Sequence, residues 1–384
     1  MSKSRVKHVA QFVHSFKIGG AEVLAFNLAK GLSRKGFQCS LWGMAGDGGL
    51  RKQLDDGGVD TVSFDCPDGV SPAAMINIAR RMISEKLDVV VTHHFRQLLH
   101  AVPGAVLTGT RLVHVEHDYH FYKDASRYLP ALRLLLRFTA NFVVVSNELV
   151  KDFKQGLGDD IKCTAIPNGV DTGRFKRQSE VRAAMRREYG FDDKTLVIGA
   201  CSRLEPVKQI ELLLAGFSDY IKRNPCARLL IVGDGSQSGA LLQEVHRLDL
   251  SEKVIFAGSR GNVHEFLSMF DIFTLTSRNE GLPLAVLEAM ATELPVVSTN
   301  VGSVSTVIGA ETGILLQHQT PELLSNAFTA LEDVTLRVRM GKTARDVVHF
   351  RHSMKSMVNA YSEVLQNVPH NPSRCFLESL RGSA

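Results

Sequence analysis

Thr276-Ser-Arg-Asn-Glu280-Gly-Leu-Pro283-Leu-Ala-Val-Leu-Glu288-Ala-Met-Ala291 is the stretch on which the fold turns. The run before it, Ile272–Thr276, is apolar and short, as a buried strand should be. Gly281 frees the turn, and Pro283 suits the first helical position. A helix over Leu284–Thr292 follows, so the unit reads strand, loop, helix. Glu280 falls in the loop and Glu288 more than a turn into the helix. The spacing alone says little, because it recurs at Glu180/Glu188 and Glu244/Glu252. The surroundings say more. Glu288 lies among Leu284, Val286, Leu287, Ala289 and Met290, where a carboxylate must find donors. A diol would supply a pair of them; a nearby cation on the helix face is the plainer alternative.

The same alternation extends in both directions. Upstream in this half, strands are expected over Leu196–Cys201, Arg228–Val232 and Val254–Ala257, with helices over Ile210–Arg223, Gly239–Leu248 and Val263–Met269. Downstream, Val296–Ser298 is another strand. The first half repeats the pattern with strands at Val6–His14, Cys39–Met44, Val59–Phe64, Val89–Thr92, Leu112–Glu116 and Phe142–Ser146. Helices are expected at Ala21–Lys35 and Pro72–Lys86. Strands that are apolar throughout belong in parallel sheets covered by helices on both faces. The chain therefore reads as α/β, with two Rossmann-like doubly wound domains facing each other and a site in the cleft, since such sheets bind at strand carboxyl ends. The turn-rich, then polar stretch near 160–180 places the boundary at 1–176 and 177–348. Residues 366–384, with two prolines and little periodicity, read as a tail.

Length agrees, because 384 residues suit two domains. The composition, 44% hydrophobic and 22% charged, excludes disorder, collagen and coiled coil as the main architecture. No apolar run reaches the roughly 18 residues of a membrane span. The N-terminus shows no signal-peptide core, and the six cysteines are scattered without a Cys-x-x-Cys pair. A cytoplasmic protein with reduced thiols and no zinc site is expected. The net charge is uneven: residues 1–176 hold 23 Lys/Arg against 17 Asp/Glu, whereas 177–384 hold 22 against 23. A basic first half points to an anionic partner such as a membrane surface. Arg133 and Arg137, four apart in an apolar segment, suggest a basic amphipathic helix on that surface, with a core helix carrying a basic edge as the alternative. No basic run is interleaved with aromatics, so nucleic acid is not expected.

Other loops carry candidates. Gly19 and Gly20 stand between the first strand and a long helix, where backbone can approach an anion at the helix N-terminus. Arg203 and Lys208 share a strand-to-helix loop and can converge on one anion. Gly233-Asp234-Gly235 closes another strand. His93 and His94 end a strand, and His114, Glu116, His117 and Asp118 end the next. The His114-x-Glu116-His117 spacing has a metal-site look, but strand alternation separates positions 114 and 117, so no metal site is expected. There is no Asp-x-Asp triplet.

In this order, the motifs resemble glycosyltransferase family 4, retaining nucleotide-sugar transferases of the GT-B fold. The residues that carry the likeness are Gly19-Gly20-Ala21-Glu22, His117-Asp118, Pro167-Asn168-Gly169-Val170-Asp171 with Phe175, and Arg203-Leu204 with Lys208. They continue with Gly233-Asp234-Gly235, Glu280-Gly281-x-Pro283, Glu288-Ala289-x-Ala291 and Pro295-Val296-Val297 before Val301-Gly302. The resemblance implies that Gly19 and Gly20 meet the donor diphosphate and that Arg203 and Lys208 neutralise it. It implies that Glu280, with Gly281, Leu282 and Pro283, meets the sugar and that Glu288 takes the ribose diol. Gly233 falls in the donor loops; His117 is implied as a catalytic residue near the sugar that orients its outer hydroxyl, and with His94 and Asp118 it falls on the acceptor side. It further implies a C-terminal helix, about 349–365 with Tyr361, folded back on the first domain. Where the family often reads Gly-Gly-x-x-Glu, this chain reads Gly302-Ser303-Val304-Ser305-Thr306.

The expectation is a metal-independent, same-face transfer from a UDP- or GDP-sugar to a glycan or lipid-linked acceptor, with no cofactor. Bacterial cell-surface polysaccharide or lipopolysaccharide synthesis at the inner membrane face is the expected setting. Two alternatives stay open: a nucleotide-sugar 2-epimerase of the same fold, and a non-catalytic nucleotide-sugar-binding partner.

Overall fold

The computed structural model describes residues 6–17, 19–46, 48, 59–119, 122 and 125–368. The chain forms two units, Met1–Asn168 with Met354–Ala384, and Gly169–Ser353. The first holds a parallel sheet of seven strands: β1 His8–Val13, β2 Gln38–Gly43, β3 Asp60–Ser63, β4 Val89–His93, β5 Arg111–Glu116, β6 Asn141–Val144 and β7 Cys163–Ala165. Their order is β3-β2-β1-β4-β5-β6-β7. The second holds six: β8 Val197–Cys201, β9 Arg228–Val232, β10 Val254–Gly258, β11 Ile272–Leu275, β12 Val296–Thr299 and β13 Gly313–Leu316. Their order is β10-β9-β8-β11-β12-β13.

In each sheet the strand order reverses once, between β1 and β4 and between β8 and β11. The carboxyl ends beside such a reversal form a crevice because the crossovers leave in opposite directions. Gly19-Gly20 follow β1, and His93 ends β4 with His94 directly after it. Arg203–Lys208 and Glu280 follow β8 and β11. Topology alone thus brings the sequence candidates to the two crevices.

Apolar burial on both faces holds the central strands; every residue of β1, β4, β5, β8 and β11 is buried. Ile198, Leu213, Phe217, Leu229, Leu324 and Phe328 form the heart of the second core, each fully buried. Such side chains contribute about 1.5–3 kcal/mol apiece. One polar clamp aligns the pair of strands at the second reversal. The Asp271 carboxylate accepts from Arg182 (2.6 Å), from Arg186 (3.2 Å) and from the Val197 amide at the start of β8 (2.8 Å).

The boundaries differ from the expected 176/177 and 348/349. Residues after Asn168 are tied to the second unit: the Val170 amide donates to the His352 carbonyl at 2.8 Å, and Arg345 donates to Thr172 and Phe175 carbonyls. A polar composition therefore marked the chain after its real crossing point. The helix Val334–Arg351 ends in the second unit, and the next, Met354–Gln366, lies with the first. There it packs on the helix Gly20–Ser33, so closely that a Cβ on Gly31 would stand 2.4 Å from Val358. Tyr361 is buried in it. Most of the expected tail, from residue 369 on, lies outside the described residues.

Candidate functional site

At the first reversal, the Gly20–Ser33 helix begins at Gly19, whose φ of −140° and ψ of 163° are open to any residue. Neither Gly19 nor Gly20 has a positive φ, so the backbone angles at this turn need no glycine. A Cβ on Gly20 would meet nothing within 4 Å, whereas one on Gly19 would meet the Glu22 carboxylate at 2.3 Å. The fold itself does not demand glycine at position 20. What a bare Cα leaves there is open space over a helix N-terminus.

Beside it, the ends of β4 and β5 build a polar cluster. His93 is fully buried; its Nε2 lies 2.9 Å from Gln11 Oε1, and its Nδ1 lies 3.0 Å from His117 Nε2. His94 has a φ of 74° and a ψ of 161°, a conformation nearly confined to glycine that costs another residue about 1–3 kcal/mol. Gln97, buried, holds this turn: its amide nitrogen donates to the His93 and His94 carbonyls, and its oxygen accepts from the His14 amide. Glu116, also buried, serves three partners. His114 Nε2 lies 3.1 Å from Oε1, His94 Nδ1 lies 3.4 Å from Oε2, and the Tyr122 hydroxyl donates to Oε1. Burial works to raise the Glu116 pKa, but the bonds to His114 and His94 hold it down at about 2. Burial likewise works to lower that of His94, but the Glu116 bond and charge, with Asp118 and Glu22 behind them, raise it. His93 is pushed down to about 3 by burial and by the neighbouring His94 and His114.

His114 and Glu116 share a strand face, whereas His117 turns to His93. Among the described residues no group of three or more His, Cys, Asp or Glu could hold a metal ion. Of this cluster, sequence reading named His94, His117 and Asp118 and passed over Gln11, Gln97 and Tyr122, and the anchoring role of Glu116. The available signal was polarity inside apolar strands: Val9-Ala10-Gln11-Phe12-Val13 and Leu112-Val-His-Val-Glu116.

At the second reversal, Lys208 Nζ and Glu280 Oε1 form an ion pair at 2.5 Å, both side chains largely buried. Ser277 donates to the same carboxylate oxygen at 2.6 Å, and Thr276 donates to the Lys208 carbonyl at 3.0 Å. Two glycines fit the loops together. Gly302, with a φ of 54°, lies where a Cβ would be 1.7 Å from the Glu280 carbonyl. Gly233, with a φ of 141°, lies where a Cβ would be 1.8 Å from that of Ser202. Gly233 is thus required by loop packing before any ligand is considered. The Ser303 amide donates to the Gly281 carbonyl at 2.9 Å, which ties the divergent Gly302-Ser303 segment to the Glu280 loop. Leu282 is buried, and Pro283 caps the helix Leu284–Ala291 rather than opening it. Arg203 is exposed, its carbonyl accepts from the Glu205 amide at 3.0 Å, and its guanidinium has no hydrogen bond or ion pair among the described residues.

Glu288 is half-buried in that helix. Burial pushes its carboxyl up to about 7, partly opposed by the charge of Arg174. Neither hydrogen bond nor ion pair reaches its carboxylate among the described residues, so the helix-face cation considered from sequence is not bonded to it. Its field is felt by Cys201, at the end of β8.

Two family models match the chain. One, described as Glycosyltransferase Family 4, covers residues 18–174, and one, described as Glycosyl transferases group 1, covers 181–347. The N-acetyl-alpha-D-glucosaminyl L-malate synthase of Bacillus anthracis is 26% identical over 297 residues, 76% of this chain and 71% of that protein. A GDP-mannose-dependent monoacylated alpha-(1-6)-phosphatidylinositol monomannoside mannosyltransferase of Corynebacterium glutamicum is 29% identical over 288 residues, 70% of this chain and 75% of that protein. Among solved structures, Anabaena Alr3699/HepE in complex with UDP and glucose superposes with a TM-score of 0.85 at 21% identity, over 94% of this chain and all of that one.

Proposed function

The chain belongs to the GT-B-fold glycosyltransferases that join a family 4 half to a group 1 half, and from that premise we propose a retaining transferase that moves a sugar from a UDP- or GDP-linked donor to an acceptor hydroxyl. The observation that carries this reading is Glu288. It is a half-buried carboxylate whose pKa burial raises, with no hydrogen-bond donor to its carboxylate among the described residues, in the loop-helix unit that also holds Glu280, the partner of Lys208. A ribose diol supplies the two donors that it lacks.

In the proposed reaction the bond from the anomeric carbon to the diphosphate oxygen breaks and a bond from that carbon to the acceptor oxygen forms on the same face. Negative charge grows on the leaving diphosphate, and Arg203 and Lys208 meet it. To do so, Lys208 keeps or loosens its bond to Glu280, which turns to the sugar hydroxyls. Gly19 and Gly20 admit the diphosphate to the helix N-terminus. The leaving oxygen takes the acceptor proton on the same face, so no separate base is needed. The proposal assigns no step to a metal. His117, beside His94 and Asp118, contacts the sugar or the acceptor. Solved neighbours that bind UDP and UDP-glucose, and relatives named for phosphatidylinositol or undecaprenol-linked acceptors, support a nucleotide-sugar donor and a glycan or lipid-linked acceptor. Cell-surface polysaccharide or lipopolysaccharide assembly, at the cytoplasmic face of a membrane, is the setting this suggests.

The test is a thermal-shift and hydrolysis screen against UDP-, GDP-, ADP- and TDP-sugars, with and without EDTA. A ligand bound to the native state raises the melting temperature by mass action. One strong hit that survives EDTA is expected; no shift with any donor would sink the reading.

Membrane contact through the first unit belongs to the same proposal. No helix of the described residues is long and apolar enough to cross a membrane. The helix Leu129–Leu136 carries Arg133, but that guanidinium is engaged: it donates to the Leu157 carbonyl and pairs with Asp160 at 2.9 Å. The contact therefore rests on Arg137 and the exposed Leu134. Arg137→Glu with Leu134→Gln is expected to weaken sedimentation with anionic liposomes while leaving the melting temperature within about 1 °C, because both side chains are at the surface. Unchanged sedimentation would remove this face from the proposal.

A further inference from the structure

Gln11, His93 and His117 form a chain of hydrogen bonds that the proposed reaction does not by itself require. Gln11 and His93 are fully buried, on the adjacent strands β1 and β4. His117 follows β5. The His93 and His117 ring planes lie within 16° with centroids 5.2 Å apart. Their nitrogens, at 3.0 Å, are closer than stacked faces allow, so the contact is a ring-to-ring hydrogen bond.

A neutral imidazole has one N–H and one lone pair, and bonding at one nitrogen decides the role of the other. His93 and His117 are both held neutral: burial lowers each, His94 adds to this at both rings, and His114 also presses on both. His93 presses on His117 as well, while Glu116 alone acts in the opposite sense there. Starting from the amide, the chain has one polarity. The Gln11 oxygen accepts from His93 Nε2–H, so His93 Nδ1 is bare and accepts from His117 Nε2–H. His117 is then left with a bare Nδ1, to which no described residue bonds. Gln97 donates to the His93 and His94 carbonyls and so holds the strained turn at His94, directly after the first link.

We propose that Gln11 and His93 are positioning residues that lock His117 in the Nε2–H tautomer, so that its Nδ1 offers a permanent acceptor to a substrate hydroxyl. The functional half of this inference rests on the transferase reading above; the tautomer half does not. The partner is a donor group, a sugar or acceptor O–H, and not an anion, which a bare nitrogen lone pair would repel.

The experiment is nitrogen NMR of the full chain labelled with 15N-histidine, in which protonated and bare ring nitrogens resonate far apart. The His117 signals are assigned by their loss in His117→Gln. In the wild-type protein, Nδ1 is expected bare and Nε2 protonated from about pH 6 to 9, across the range where a free histidine would titrate. Gln11→Met removes the acceptor and is expected to give His117 mixed tautomers. It should also lower kcat about tenfold or more, with the donor KM within about twofold. Gln11→Glu keeps an acceptor at that point and is expected to restore both. A wild-type His117 with its proton on Nδ1 overturns the proposal without any variant, and so does a Gln11→Met protein with an unchanged His117 spectrum. A tautomer shift with unchanged kcat would overturn the functional half. If no nucleotide sugar reacts at all, the transferase reading fails, while the spectrum still decides whether the lock exists.

Discussion

Replacement of Lys208 by Met is expected to lower kcat by about 10²–10³-fold, the magnitude typical of removing one charge-stabilising group from a developing oxyanion. The KM for the donor should change far less, because the diphosphate is already charged in the ground state and only the added charge of the transition state is lost. The same substitution also strands Glu280. That carboxylate is largely buried and has Lys208 and Ser277 as its partners, so removing the cation leaves an uncompensated charge. In buried pairs this costs about 3–5 kcal/mol. A fall in activity alone would therefore be ambiguous. The double variant Lys208→Met/Glu280→Gln separates the two effects: a neutral amide can keep the Ser277 bond without needing a cation. Its melting temperature should return close to that of the wild type, while kcat stays low. Arg203→Ala, at an exposed residue whose guanidinium has no bonded partner among the described residues, should lower kcat with no change in melting temperature. If Lys208→Met and Arg203→Ala both leave kcat intact, charge on the diphosphate is handled by other groups, and the electrostatic account fails.

That these cations could be named from sequence, and Gln11 could not, has a physical cause. Lys208, Glu280 and Glu288 sit in or after loops punctuated by Gly and Pro, where a charged residue stands out against an apolar strand. The strand pattern also told where the loops would gather, since the carboxyl ends of parallel strands share one edge. Gln11 and Glu116 lie inside strands, and their meaning depends on which strand is their neighbour. The β1–β4 and β4–β5 pairings that bring Gln11, His93 and His117 together join residues some eighty and twenty-four apart. No local spacing encodes that. Pro103 similarly hides the helix Phe95–Thr108 by reading as a breaker, and the edge strands β7 and β13, three and four residues long, offer only a short pattern to read. Arg133 looked like half of a surface pair because sequence cannot show the open helix end at Leu157 that it caps. The glycines at 19 and 20 were legible as glycines but not as to reason: their backbone angles need no glycine, whereas those at 233 and 302 do.

Binding of a nucleotide sugar is expected to strengthen as pH rises from about 5 to about 7 and then to level off, through Glu288. The sign follows from its environment. Burial raises the Glu288 carboxyl from an ordinary 4.5 to about 7 in the free protein. The neutral acid is then the favoured form, and it has a proton where a diol needs an acceptor. Two hydroxyl donors favour the carboxylate, so binding must expel that proton, and affinity grows as pH does the work in advance. The doubly esterified diphosphate of a nucleotide sugar has no proton to exchange in this range, so the proton comes from the protein, and the loss of the slope in Glu288→Gln identifies its source. Calorimetry in buffers of different ionisation enthalpy should show close to one proton released per ligand near pH 6 and almost none at pH 8.5. Glu288→Gln removes the slope and weakens binding at pH 8 by roughly tenfold or more, the worth of a hydrogen bond to a charged acceptor. A 2′-deoxy donor, lacking one of the two hydroxyls, should bind the wild-type protein less tightly and lose little further affinity to Glu288→Gln. Stability runs the other way. A folded pKa above the unfolded one gives stability that is fully present below about 4.5 and lost as pH rises through about 7. The free Glu288→Gln protein should therefore melt higher than the wild type at pH 8 and show little advantage at pH 4.5. Weaker binding together with higher stability, both confined to neutral and alkaline pH, is what a carboxylate held ready for a ligand produces. A carboxylate kept for the fold would lose stability on substitution, and pH-independent binding would transfer the diol to another residue.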